Sequence, residues 1–180
     1  MMSMSARPSS FSALTSAGAI AECVVIGLGS PFLGDDSIGL RVVRGLPGDG
    51  STGIRLVESH AGGLLLLEEL ADTRQAIIVD ALVDARRTPG EVVVAGIGGD
   101  SCHAACGHDC SLPQALAVGR AMGLRLPADK DIHLVAIVAE DVSTFTENLS
   151  PRDAGALPRA CRTVRDLIAG MSVTDDEEAA

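Results

Sequence analysis

The sequence predicts a three-layer α/β/α domain: a twisted sheet of about five strands flanked by helices on both faces. Three observations predict it. Short continuous apolar runs alternate with stretches whose apolar residues recur at helical spacing, through most of the 180 residues. The hydrophobic share is 47%, yet the only aromatics are three Phe. The core is therefore Val, Leu, Ile and Ala, the composition of a parallel sheet covered by helices. Finally, Cys23 to Leu28 is an apolar run that breaks into a loop punctuated by Gly27, Gly29, Pro31 and Gly34 and resumes as a short amphipathic helix at Ile38.

The elements follow in order. Cys23–Leu28 is a buried strand, and Leu40, Val42, Val43 and Leu46 mark the apolar side of the first helix. A glycine-rich turn, Gly48 to Gly53, leads to a second strand, Ile54–Val57, which ends at Glu58-Ser59-His60. Gly62 and Gly63 open a helix with Leu64, Leu67 and Leu70 on its apolar face. Ile77–Val79 is the centre of a third strand, with Asp80 at its carboxyl end, where a charge avoids the sheet interior. After the Pro89-Gly90 turn, Glu91–Ala95 is a fourth strand nearer an edge. A loop of Gly, Cys and His, Gly96 to Cys110, precedes a helix from Ser111, with Pro113 in its first turn and Leu112, Leu116, Val118 and Met122 apolar. Ile132–Ala139 is the fifth strand, and Ser150-Pro151 starts a last helix carrying Leu157, Val164, Leu167 and Ile168 inward.

Residues 1–18 read as a disordered leader, 19–171 as a single α/β domain, and 172–180 as an acidic disordered tail. The formal charge of −10 argues against nucleic acid or an anionic membrane as partner, and no stretch is long enough to span a bilayer. Five cysteines, an odd number without a clear export signal, read as reduced thiols in a cytoplasmic protein.

The first loop tests poorly as a dinucleotide fingerprint. Phe32 stands where the third glycine should be, and Asp35 and Asp36 stand where a pyrophosphate needs bare amides. Paired hard carboxylates suit a cation better. The plainer role for Asp35 or Asp36 is to cap the following helix, which leaves the other free to act. With Asp80 and the His/Cys loop after the fourth strand, three strand ends on one rim offer a mixed oxygen–nitrogen site for zinc, nickel or a related ion. A rival centre is the loop itself. Cys102, Cys106 and Cys110 with His103 and His108 could bind zinc or a soft metal on their own, although the C-x-x-C pair is missing, or the cysteines could be apolar filler. There is no G-x-S-x-G elbow, and a Cys110–His108 pair is too ordinary a spacing for a thiol protease. His133, at a strand start, reads as structural.

Four blocks taken together resemble the hydrogenase maturation proteases: Gly27 to Gly39, Val79-Asp80-Ala81, His108 to Leu116 and Leu149-Ser150-Pro151. They run in order from about Val24 to Ile168. The resemblance implies a sheet of about five strands flanked by helices and an endopeptidase that processes the large subunit of nickel–iron hydrogenases. It implies that Asp36, Asp80 and His108 hold the nickel carried by the precursor, with zinc or a cadmium-like ion as surrogate, and that a C-terminal peptide is removed only after nickel insertion. It further implies a cytoplasmic monomer whose partner is the large-subunit precursor. Asp36 stands where some members carry Glu, Ser30 where Asn is common, and His60 where a Gly or other small residue is usual. Asp35 is then a cap or an outer-sphere residue that orients a ligand. The alternative, from another class, is a nickel- or zinc-binding carrier or sensor without peptidase activity, centred on loop 102–110.

Overall fold

The computed structural model describes residues 21–47, 53–97 and 111–174. The expected leader, residues 1–18, lies outside them, as does the expected tail beyond Thr174. Every strand of the sequence reading is present: β1 (Ala21–Leu28), β2 (Ile54–Ser59), β3 (Thr73–Leu82), β4 (Val92–Gly96) and β5 (Ile132–Val138). The helices are α1 (Ile38–Arg44), α2 (Leu66–Leu70), α3 (Leu112–Ala121) and α4 (Pro151–Thr174). The sheet order is β2-β1-β3-β5-β4.

Alternation along each strand sorts the core into two clusters, one per face. Cys23 and Val25 of β1 pack with Ile77 and Val79 of β3, against Ile38, Val42 and Val43 of α1 and Ala156, Ala160 and Val164 of α4. Val24, Ile26 and Leu28 face the other way, with Leu66, Leu67 and Leu70 of α2 and Leu112, Ala115 and Leu116 of α3. Helices therefore cover both faces, and the three-layer expectation holds.

Several details differ from the sequence reading. The sheet is mixed: β1, β2, β3 and β5 run parallel, but β4 is antiparallel to β5. The link from β3 to β4, residues 83–91, is shorter than the crossover of a dozen or so residues that a parallel strand requires. Gly96, at the end of β4, pairs with His133 near the start of β5, so β4 ends at the rim opposite the carboxyl ends of β1 and β3. The expectation that the ends of the first, third and fourth strands lie on one rim is thereby corrected for the fourth. Leu64 is exposed because residues 63–65 form a tight 3₁₀ turn and shift the phase of α2. In α3, Val118 and Met122 are exposed; the buried stripe is Leu112, Ala115, Leu116 and Gly119. The last helix continues through Thr174, three residues into the segment expected to be tail. No helix among the described residues is long and apolar enough to cross a membrane.

Candidate active site

Strand order reverses at β1: the chain passes to β2 on one side and returns across β1 to β3 on the other. In open α/β sheets the crevice outside the carboxyl ends at such a point is where ligands bind. Two of the three residues expected to act together lie here. Asp36 belongs to the turn after β1, and Asp80 lies on β3 one step beyond Val79, which pairs with Gly27.

The turn is folded tightly enough to bring Asp36 back onto the strand end. Gly29 has φ +136°, and a Cβ there would fall 1.7 Å from the carbonyl oxygen of Asp36. Gly27 and Gly39 let α1 settle on the strand ends; a Cβ on Gly27 would meet the Gly39 carbonyl oxygen at 2.2 Å. These glycines therefore serve backbone packing, and the nucleotide fingerprint is not needed to explain them.

Neither acid caps the helix through its side chain. Asp35 is buried and spends its carboxylate elsewhere. Its Oδ2 accepts from the backbone N–H groups of Glu140 and Asp141, each at 3.2 Å, and its Oδ1 accepts from that of Ser150 at 2.6 Å. It thus ties the segment between β5 and α4 to the loop after β1. Other bonds reinforce the tie: Gly34 N–H donates to Thr146 O at 2.7 Å, Thr146 N–H to Phe32 O at 2.9 Å, and the Arg41 guanidinium to Glu147 O. Phe32 and Phe145 stack at 5.9 Å on the exposed side of the junction.

Asp36 and Asp80 are arranged differently. Asp36 Oδ2 accepts from the Ser30 N–H at 2.6 Å, and Asp80 Oδ1 accepts from the Ala81 N–H at 2.8 Å. Each carboxylate is held by one oxygen, and the other has no protein hydrogen bond among the described residues. Burial pushes the Asp80 carboxyl up to about 7; the Ala81 N–H opposes the rise, and the neighbouring Asp36 charge adds to it. A cation between the two would relieve that repulsion.

His108, the third residue of the expected set, lies outside the described residues, as do His103, Cys102, Cys106 and Cys110. Among the described residues no group of three or more His, Cys, Asp or Glu side chains could hold a metal ion. The rim supplies two oxygen donors, hard ligands suited to a divalent first-row ion completed by nitrogen or substrate ligands. His133 lies at the start of β5, on the other rim, away from the pair. Cys23 and Cys161 are buried core thiols; burial pushes Cys23 up to about 11 and raises Cys161 as well. Two residues escaped the sequence reading: Asp35 as a tie, and Asp153, a fully buried carboxyl in the first turn of α4.

The fold and rim define an α/β protein with a carboxylate pair at the point of strand reversal. The fold is that of the hydrogenase maturation endopeptidases. The hydrogenase maturating endopeptidase HybD from Escherichia coli is similar over 83% of this chain and 93% of its own, with a TM-score of 0.66 and 23% identity. An endopeptidase from Escherichia coli aligns over 79% of this chain and 89% of its own, with a TM-score of 0.61 and 25% identity. The nickel–iron hydrogenase maturation protease HybD from Thermococcus kodakarensis aligns over 81% and 98%, with a TM-score of 0.57 and 21% identity. No family model and no curated protein matches the sequence.

Proposed function

We propose that the protein is an endopeptidase that removes the C-terminal extension of a nickel–iron hydrogenase large-subunit precursor after nickel insertion. In this reading it acts as a cytoplasmic monomer and uses the nickel of its substrate as the recognition element. The observation that carries the reading is the Asp36–Asp80 pair: two carboxylates at the strand reversal, each tethered by one oxygen, the other without a hydrogen bond among the described residues. That arrangement stands on the fold of proteins named hydrogenase maturation endopeptidases.

Asp36 and Asp80 would hold the substrate's nickel through their open oxygens, with His108 as the nitrogen donor, and zinc or cadmium would serve as surrogates. Docking of the metal centre would seat the precursor's C-terminal segment across the rim, turning cleavage into a reaction between positioned groups. With its pKa pushed up to about 7, the Asp80 carboxyl is about half protonated near neutral pH in the free protein, and cation binding would displace that proton.

The test is incubation of the full chain with nickel-loaded and nickel-free precursor, read by mass spectrometry. A discrete loss at the C-terminus of the loaded precursor alone supports the reading. An uncut precursor in both cases, with the protein folded, overturns it and favours the metal carrier centred on loop 102–110.

A further inference from the structure

His60 is exposed at the end of β2, and the β1–β2 register, Leu28 opposite Ser59, brings it alongside Gly29. Its Nδ1 lies 3.0 Å from the Gly29 carbonyl oxygen. A carbonyl can only accept, so Nδ1 carries the proton and donates it. The Gly29 carbonyl and the Ser30 N–H belong to one peptide group, and that N–H grips Asp36 Oδ2 at 2.6 Å. A single planar unit thus accepts from His60 on one side and donates to Asp36 on the other. The Gly29 N–H, in the preceding peptide group, donates to Ser59 O at 3.2 Å, so residue Gly29 is held from the β2 side at both its N–H and its carbonyl. Hydrogen bonds in such a chain polarise one another: donation into the carbonyl strengthens the N–H as a donor.

We propose that His60 is a positioning residue for Asp36, acting through the Gly29–Ser30 peptide group and thereby setting the rim's affinity for a divalent cation. The affinity part rests on the reading that the rim takes nickel; the hydrogen-bond relay does not. Outer-sphere partners that orient a metal's ligands change affinity about 10–100-fold when removed, which sets the size of the expected effect. The ring has no hydrogen bond other than this one among the described residues, so losing it removes the relay without emptying a core position.

Two readouts on the full-length protein test the relay and the affinity separately. By NMR of the metal-free protein, His60→Ala should move the Ser30 amide proton upfield and speed its exchange. His60→Asn, whose Nδ2 sits where the ring Nδ1 sits, should restore both. By calorimetry with Ni²⁺ alone, His60→Ala should bind about tenfold more weakly than the parent, and His60→Asn within about twofold of it. An unmoved Ser30 amide in His60→Ala overturns the relay. Failure of His60→Asn to restore Ni²⁺ affinity overturns positioning in favour of direct contact through Nε2. A parent protein that binds no Ni²⁺, with the Ser30 amide responding as expected, overturns the affinity part along with the metal reading of the rim and leaves the relay established.

Discussion

Asp80 and Asp153 are both carboxyls pushed up to about 7, and in both burial is the largest cause. Everything else about them differs. Asp80 lies half-buried at the rim, steadied by one N–H, beside an Asp36 that also has one oxygen without a hydrogen bond among the described residues. Asp153 is fully buried in the first turn of α4, and neither of its oxygens has a hydrogen-bond partner among the described residues. The nearby charges that add to the rise are the carboxylates of Asp35 and Glu140. A raised pKa therefore marks a buried acid, not a site. What sets Asp80 apart is partial exposure at the rim, a tether to one oxygen and a second carboxylate, Asp36, close enough to raise its pKa.

The largest effect should come from breaking the rim. Asp80→Asn keeps the Ala81 tether but removes the charge, and Asp36→Ala removes the other donor. Each should cut precursor processing at least about 100-fold, measured as initial rate on nickel-loaded precursor. The melting temperature of Asp80→Asn should stay level or rise, because a buried charge has been removed. Normal processing by either variant would strip the comparison of its functional half.

Asp35 should show the opposite profile. Its carboxylate takes three backbone N–H groups, and Asp35→Ala leaves them without that acceptor. Hydrogen bonds to charged groups are the strong ones, so the loss should be about 2–4 kcal/mol in urea unfolding. Amide exchange should quicken at Glu140, Asp141 and Ser150. Retained protection at those amides would contradict the tie.

These contrasts explain which parts of the fold and site were legible in the sequence. The strands were, because Val24–Ile26, Ile77–Val79 and Leu134–Val138 are apolar runs that only a covered sheet accommodates. Asp36 and Asp80 stood out because a charge at the end of such a run must find the rim. The role of Asp35 was hidden because its partners lie more than a hundred residues away, in a segment without periodicity. Asp153 was hidden for a similar reason: an acid in the first turn of a helix reads as favourable to the dipole. Nothing local announces that Asp35 and Glu140 will be its neighbours. The direction of β4 was legible only in the short link of residues 83–91, too short for a parallel crossover, while its place beside β5 is encoded by no run of residues near it.

Replacing Asp153 by an apolar residue of similar size should stabilise the protein. Asp153→Leu removes two oxygens without a hydrogen-bond partner among the described residues from a fully buried position near the acidic Asp35 and Glu140. The gain should be about 1–3 kcal/mol in urea unfolding at pH 7.5, with processing activity unchanged. A loss of stability would mean that the carboxyl has a partner that makes it worth its burial.

The smallest and sharpest test separates the two acids by pH. A carboxyl whose folded-state value is raised binds its proton more tightly folded than unfolded, so folded stability should fall as pH rises between the unfolded value, about 4, and the folded value, about 7. Above about 7 the penalty is complete and the slope vanishes. The acids held low by hydrogen bonds, such as Glu58 and Asp84, act below that window, and their stabilising contribution is lost as pH falls. Asp153→Asn and Asp80→Asn should each flatten the decline between pH 4.5 and 7 by a similar amount, and the double variant should nearly abolish it. Divalent cation should then divide them. Ni²⁺ added to Asp153→Asn should remove the remaining slope, because its site competes with the Asp80 proton, while Ni²⁺ added to Asp80→Asn should leave the Asp153 share in place. An equal response of both variants to Ni²⁺ would show that the two acids are not separate, and that access to the rim extends beneath α4.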